Sequence, residues 1–118
     1  MEKREEKRQF VRLNFLVDVV YHKVPPVEKE KLSLAKNIST GGICLIVYEE
    51  LREQDALDLE IYLPEDKTAI QVKGRVIWVK EFIIGDISKG KRYDVGIDFL
   101  EINKNDLERI NKHVFSHL

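Results

Sequence analysis

From residue 13 to residue 100 apolar and polar side chains alternate with a period of two, the signature of strands that bury one face. Leu13, Phe15, Val17, Val19 and Tyr21 share one face of a first strand, with Asp18 and His22 on the other. Pro25-Pro26 breaks the chain, and the charged stretch from Glu28 to Lys31 reads as a solvated loop. Leu32 to Ile38 forms a second strand, and Gly42 to Tyr48 a third, apolar on both faces and so expected to be central. In the fourth, Leu57, Leu59, Ile61 and Leu63 alternate with Asp58, Glu60 and Tyr62 until Pro64 closes it. Ile70, Val72, Val76 and Trp78 mark one face of a long fifth strand, with Gln71, Lys73 and Arg75 opposite and Gly74 suggesting a bulge or bend. A loop from Phe82 to Lys91, with turn signals at Gly85 and Gly90, leads to a last strand lined by Tyr93, Val95, Ile97 and Phe99.

The period then becomes helical. Leu107, Ile110, Val114 and Leu118 make one apolar stripe, with Asn103 as N-cap and Asp106 in the capping-box position. Six short strands followed by one amphipathic helix predict a mainly β fold, a six-stranded antiparallel β-barrel covered by a C-terminal α-helix. The 118 residues make a single domain, divided into an N-terminal arm over 1–12 and a barrel with its helix over 13–118.

Charge changes this picture in one place. The formal net charge is -1, which argues against general nucleic-acid binding. The arm is nevertheless locally basic, with Lys3, Arg4, Lys7, Arg8 and Arg12 against Glu2, Glu5 and Glu6. Cys44 is the single cysteine, excluding an intrachain disulfide and a cysteine-based zinc site, and its apolar surroundings read as a buried inert thiol. No apolar run approaches the roughly 18 residues of a membrane span and no signal-peptide pattern opens the chain, so no membrane insertion and a cytoplasmic location are expected.

Two short segments carry the chemistry. Arg8-Gln9-Phe10-Val11-Arg12 sets two guanidinium groups four residues apart, and Asn37-Ile38-Ser39-Thr40-Gly41-Gly42 sets an amide, a hydroxyl and a glycine pair at a strand-to-strand turn. Taken alone, the arginines also read as solvated charges that repel by a few tenths of a kcal/mol. Likewise the second segment also reads as an ordinary turn, since Asn, Ser and Gly are the default turn residues. Taken together and in this order, R-x-x-x-R followed by [D/N]-x-S-x-x-G resembles the PilZ domain, the bacterial receptor module for the dinucleotide second messenger cyclic di-GMP. The similarity runs from about Arg8 to Leu100, and the strands around Gly74 to Trp78 and Tyr93 to Phe99 also look familial.

The resemblance implies a PilZ-type barrel and a ligand-binding set of Arg8, Arg12, Asn37, Ser39 and Gly42. An arginine fork matches both phosphate oxygens and the guanine O6/N7 edge, and its plane stacks on a purine. The family uses the Asn37 position for a guanine edge and the Ser39 hydroxyl for polar contacts. Asn replaces the commoner Asp, and an amide accepts with only one of its two groups. Gly42, with Gly41, is expected to allow positive φ and a close backbone approach to the ligand. The arm lacks apolar periodicity, so an ordering of the arm on the ligand that exposes a new surface is expected.

Other constellations are weaker. His22, His113 and His117 are scattered, and the pair at i, i+4 lacks an acidic co-ligand, so no metal is expected. Trp78 reads as core or barrel rim rather than a base-stacking platform. Glu49-Glu50 and Asp94 with Asp98 show no acid–base partner, and there is neither a P-loop nor a GxGxxG. No enzyme and no cofactor are expected. The expected function is a cyclic di-GMP receptor or adaptor that changes conformation and signals to an unidentified downstream protein. The rivals are a ligand-independent PilZ-like adaptor and a barrel binding single-stranded nucleic acid, the latter disfavoured by the charge balance and by aromatics that look internal.

Overall fold

A computed structural model describes residues 17–24, 30–64, 66–83 and 90–116. Six strands form one closed antiparallel ring and a single helix follows them, as the alternation predicts. The elements are β1 (Val17–Val24), β2 (Lys31–Ile38), β3 (Gly42–Val47), β4 (Ala56–Tyr62), β5 (Ile70–Ile83), β6 (Lys91–Glu101) and α1 (Lys104–Ser116). Around the ring the order is β1, β2, β3, β6, β5, β4, and β1 closes it by pairing with both β2 and β4. Leu13 and Phe15, expected in the first strand, lie outside the described residues.

Inward positions follow the alternation. Val19, Leu45, Leu57, Leu59, Ile61, Ile70, Val76, Val95 and Ile97 fill the barrel, each at most 2 % exposed. Burying each such side chain contributes roughly 1.5–3 kcal/mol relative to leaving it in water. Ser33, also buried, donates its hydroxyl to the Val19 carbonyl at 2.9 Å, so no inward polar group is left there without a partner.

Three register shifts interrupt the ladders. On β2 the pairing slips between Ala35 and Asn37, and on β5 it slips between Lys73 and Gly74 and again between Val76 and Trp78. The slip at Gly74 falls where its glycine suggested a bulge or bend, but the surplus residue there is Leu100 of β6 rather than a residue of β5. The slip after Val76 overturns the expectation that Trp78 shares the inward face of β5: the extra residue reverses the parity, and Trp78 points outward. Val76 is held here by the loop before β4, donating to the Asp55 carbonyl and accepting from Gln54 N–H. Beyond it, β5 pairs with β6 alone. This ladder runs on through Ile83 and Lys91, so most of the described part of the expected Phe82 to Lys91 loop is strand. Gly90, just before β6, lies outside the strands and has φ 100°.

Each end of the ring has its own closure. At one end α1 lays Ile110 into the core, with Ile102 and Val114 packed against it. Asn103 caps the helix as expected: its Oδ1 accepts from Asp106 N–H at 2.8 Å, while its Nδ2 donates to the Asp106 carboxylate at 3.0 Å. Arg109 then ties α1 to the β4–β5 connection through Asp66 and the Thr68 carbonyl. At the other end the buried Tyr21 donates its hydroxyl to Glu49 at 2.7 Å, and Lys31 pairs with the same carboxylate at 3.0 Å. Glu49, which showed no partner in the sequence, therefore anchors this rim.

Burial pushes the Glu49 carboxyl up, but the Tyr21 hydrogen bond and Lys31 outweigh it and hold its pKa below the ordinary value. A carboxyl with a lowered folded-state pKa adds stability that is fully present above its unfolded value and is lost as pH falls through the folded one. Glu49→Gln is therefore expected to lower the urea midpoint at neutral pH. The gap from the parent should close below the ordinary carboxyl value of 4.5. Urea titrations at neutral pH and at about pH 3 read both arms.

Candidate functional site

The β2–β3 turn is built by its own sequence. Ser39 N–H donates to the Gly42 carbonyl at 2.9 Å, and the Ser39 hydroxyl accepts from Gly41 N–H at 3.2 Å, the geometry by which serine stabilises a turn. Gly41 also gives its carbonyl to Phe99 N–H at 3.0 Å, which fixes the turn to the end of β6. Among the described residues Gly90 is the glycine with positive φ, so neither Gly41 nor Gly42 is there for left-handed backbone, contrary to expectation. Gly42 is required for a different reason. It faces Asp98 on β6, and a Cβ on it would collide with the Ile97 carbonyl, which is backbone and has no room to give. Its close approach is to the neighbouring strand. A Cβ at Gly41 would meet open space.

Asn37 lies just past the β2 slip, and the register carries it across the sheet. Asn37 pairs with Cys44, Cys44 with Gly96, and Gly96 with Trp78, so these four make one row on the outer face of β2, β3, β6 and β5. Gly96 lets the indole lie on the sheet, because any Cβ there would overlap the ring. Trp78 remains 42 % exposed and forms one wall of a shallow concavity of ≈ 340 Å³. Asn37, Ser39, Gly41, Gly42 and Asp98 form the opposite side. Cys44 is its floor; burial first, then the Asp94 charge, pushes the thiol pKa up, which keeps it a neutral, inert surface.

Next along the same face lies a charged cluster that the sequence left unpaired. Asp94, its side chain only 5 % exposed, takes Lys36 Nζ at 2.8 Å and Arg92 Nη2 at 3.3 Å. Lys80 stands opposite Asp94 in the ladder. Lys80 and Arg92 also flank the Phe82 ring, at 5.3 and 4.7 Å from its centroid. Three cations around one carboxylate leave this end of the row positive.

Of the residues expected from the sequence, the structure brings Asn37, Ser39 and Gly42 to one concavity; Arg8 and Arg12 lie outside the described residues. Trp78, Gly96 and the Lys36–Asp94–Arg92 cluster were missed as parts of this face. Two signals were present: a glycine at the centre of an apolar strand marks close approach, and Val76-Ile77-Trp78-Val79 is apolar throughout and so conceals the change of parity.

Similarity to known proteins agrees with this architecture. The family model of the PilZ domain matches residues 4–116. An uncharacterized protein of Bacillus subtilis, YpfA, is 29% identical over 110 residues, covering 92% of this chain and 48% of the relative. The solved Bacillus subtilis inhibitor of motility, MotI/DgrA, superposes with a TM-score of 0.69 at 27% identity, over 97% of this chain and 52% of that one. The PilZ domain of Escherichia coli YcgR, solved with c-di-GMP, superposes with a TM-score of 0.67 at 14% identity, over 95% of this chain and 92% of that one, a likeness of fold. The chain thus spans about half the length of the two Bacillus relatives.

The two glycines of the turn make opposite predictions. Gly42→Ala forces β3 and β6 apart and is expected to cost about 1–3 kcal/mol, as overpacking does, whereas Gly41→Ala should melt with the parent. Thermal unfolding of the pair, followed by circular dichroism, distinguishes a strand-spacing role from a turn role.

Proposed function

The chain belongs to the PilZ family, and on that footing we propose that it is a receptor for cyclic di-GMP, bound on the outer face between the β2–β3 turn and Trp78. PilZ domains are receptor modules rather than enzymes, and no helix among the described residues is long and apolar enough to cross a membrane. The observation that carries the reading is the row from Asn37 to Trp78. It sets an exposed amide and an exposed indole on one face, beside a surplus of cations. A ligand with two phosphates and two guanines needs those three things.

In this reading Arg8 and Arg12 hold phosphate and the guanine O6/N7 edge. Asn37 meets a guanine edge with its amide, and Asp98, in the same concavity, offers the carboxylate that Asn37 lacks. The Ser39 hydroxyl accepts from Gly41 and donates to the Gly42 carbonyl at a long 3.5 Å, a bond that a ligand acceptor can take over. Trp78 supplies a stacking face. The signal to a downstream protein follows from closure of the arginines on the dianion, which joins arm, ligand and turn into one surface. Amide exchange should then gain protection over residues 5–13 and 37–42 on adding ligand.

Calorimetry with cyclic di-GMP, with GTP and a short oligonucleotide as controls, tests the reading. Arg8→Ala and Arg12→Ala should each weaken binding by about tenfold to a hundredfold, because a bidentate base contact is worth ~1–3 kcal/mol. Lysine should not restore it, lacking the fork. Trp78→Ala should lose a similar ~1–3 kcal/mol of stacking, and Asn37→Asp should retain or strengthen binding. Parent affinity in Arg12→Ala with unchanged melting removes the arginine assignment; oligonucleotide binding in place of the dinucleotide removes the function.

A further inference from the structure

We propose that the outer face of β1, β2 and β3 around Asp18 is a docking groove for a protein segment that presents apolar side chains around a central lysine or arginine. It would give the receptor described above an output surface, and it rests on that reading for nothing else.

The groove follows from the register. Leu34 pairs with Asp18 on one side and Ile46 on the other, and Asp18 pairs in turn with Tyr62. The next row outward sets Val20 against Leu32. These side chains, with Tyr48, enclose a groove of ≈ 630 Å³ on the outside of a barrel that has no neighbour there among the described residues. Leu32 is 83 % and Tyr48 70 % exposed, although the alternation that made these strands should leave polar residues facing outward. Contiguous exposed apolar surface on a small domain marks an interaction site rather than a random residue.

Charge selects the occupant. Asp18 is exposed in the middle of the apolar row and makes no ion pair among the described residues. Glu60 borders the groove and accepts from the Tyr62 hydroxyl at 3.0 Å. That hydrogen bond, then burial and the charges of Glu60 and Glu30, pushes the Tyr62 phenol pKa up, so both carboxylates act on this aromatic. Among the described residues the cations of β2 are engaged elsewhere: Lys31 by Glu49 and Lys36 by Asp94. The groove is therefore apolar in its walls and acidic at its centre and rim. A second copy of the same face would bring Asp18 against Asp18, and an anionic membrane would be repelled. A segment with apolar anchors around a cation satisfies both features, as an amphipathic helix does when it lies in a groove. Rim charges set the rate and salt dependence of such a complex, and the buried anchors its lifetime.

The test uses the full chain without nucleotide, so its failure is independent of the calorimetry above. Nitrogen–proton correlation spectra are recorded during titration with a short helical peptide of leucine and arginine, and with its leucine–glutamate counterpart. The expected result is shifts concentrated at Val20, Leu32, Ile46 and Tyr48, weakening with salt, with the glutamate peptide silent. Leu32→Ser and Asp18→Asn, both at exposed positions that the fold does not need, should each weaken the arginine peptide at least tenfold. Absence of shifts, shifts centred elsewhere, or equal binding of the glutamate peptide overturns the proposal. So does a dimer seen by sedimentation of the chain alone and abolished by Leu32→Ser, which would assign the face to a second copy. Binding to phosphatidylglycerol vesicles abolished by Leu32→Ser would assign it to lipid and equally overturns the proposal.

Discussion

A closed ring leaves no free edge at which a strand can absorb a surplus residue, so every mismatch between neighbouring strands has to be taken up inside a ladder. In this barrel one slip falls at Lys73/Gly74, and the other two fall at Ala35/Asn37 on β2 and at Val76/Trp78 on β5, with Asn37 and Trp78 beside them. These two residues are the ends of one row across four strands. The slip on β2 turns Lys36 and Asn37 toward the outer face in succession; the slip at Val76/Trp78 does the same for Ile77 and Trp78. The candidate site is thus a by-product of closure. Two of the barrel's three irregularities place an amide and an indole at opposite ends of the same line.

Glycine makes that line usable. Gly42 and Gly96 sit on neighbouring strands, and each admits something a Cβ would exclude: the β6 backbone in one case, the indole in the other. At these two positions the concavity is consequently lined by backbone, beside the inert thiol of Cys44. The charged cluster at Asp94 is held together by burial. A nearly buried carboxylate needs its cations, and removing either partner from such a group costs more than the pair contributes when intact.

Much of this was legible in the sequence. Strands with one apolar and one polar face, such as β1 and β4, announce themselves, and so does a helix whose Asn103 and Asp106 stand at cap spacing. The turn from Asn37 to Gly42 was legible as a motif. What the sequence hid was parity. Where four apolar residues run together from Val76 to Val79, either face could be the buried one, and the neighbouring loop at Gln54 and Asp55 decides by gripping Val76. Tyr21 as the partner of Glu49 and Lys36 as that of Asp94 were hidden for a related reason: they lie 28 and 58 residues away in the chain, and the ring brings them together. The positive φ expected of Gly42 is absent, and the closeness it does permit, to the β6 backbone, is between strands far apart in the sequence.

Trp78 is the only tryptophan in the chain, and it stands half in water on the face of the proposed ligand site. Emission excited at the red edge of the aromatic band therefore comes from one ring at one location, with no buried indole to dilute it. Its wavelength reports how much water touches that face. Its quenching by iodide or by acrylamide reports whether the ring is reached through a positive or a neutral approach. The protein thus carries its own optical probe, requiring no label and no change of sequence.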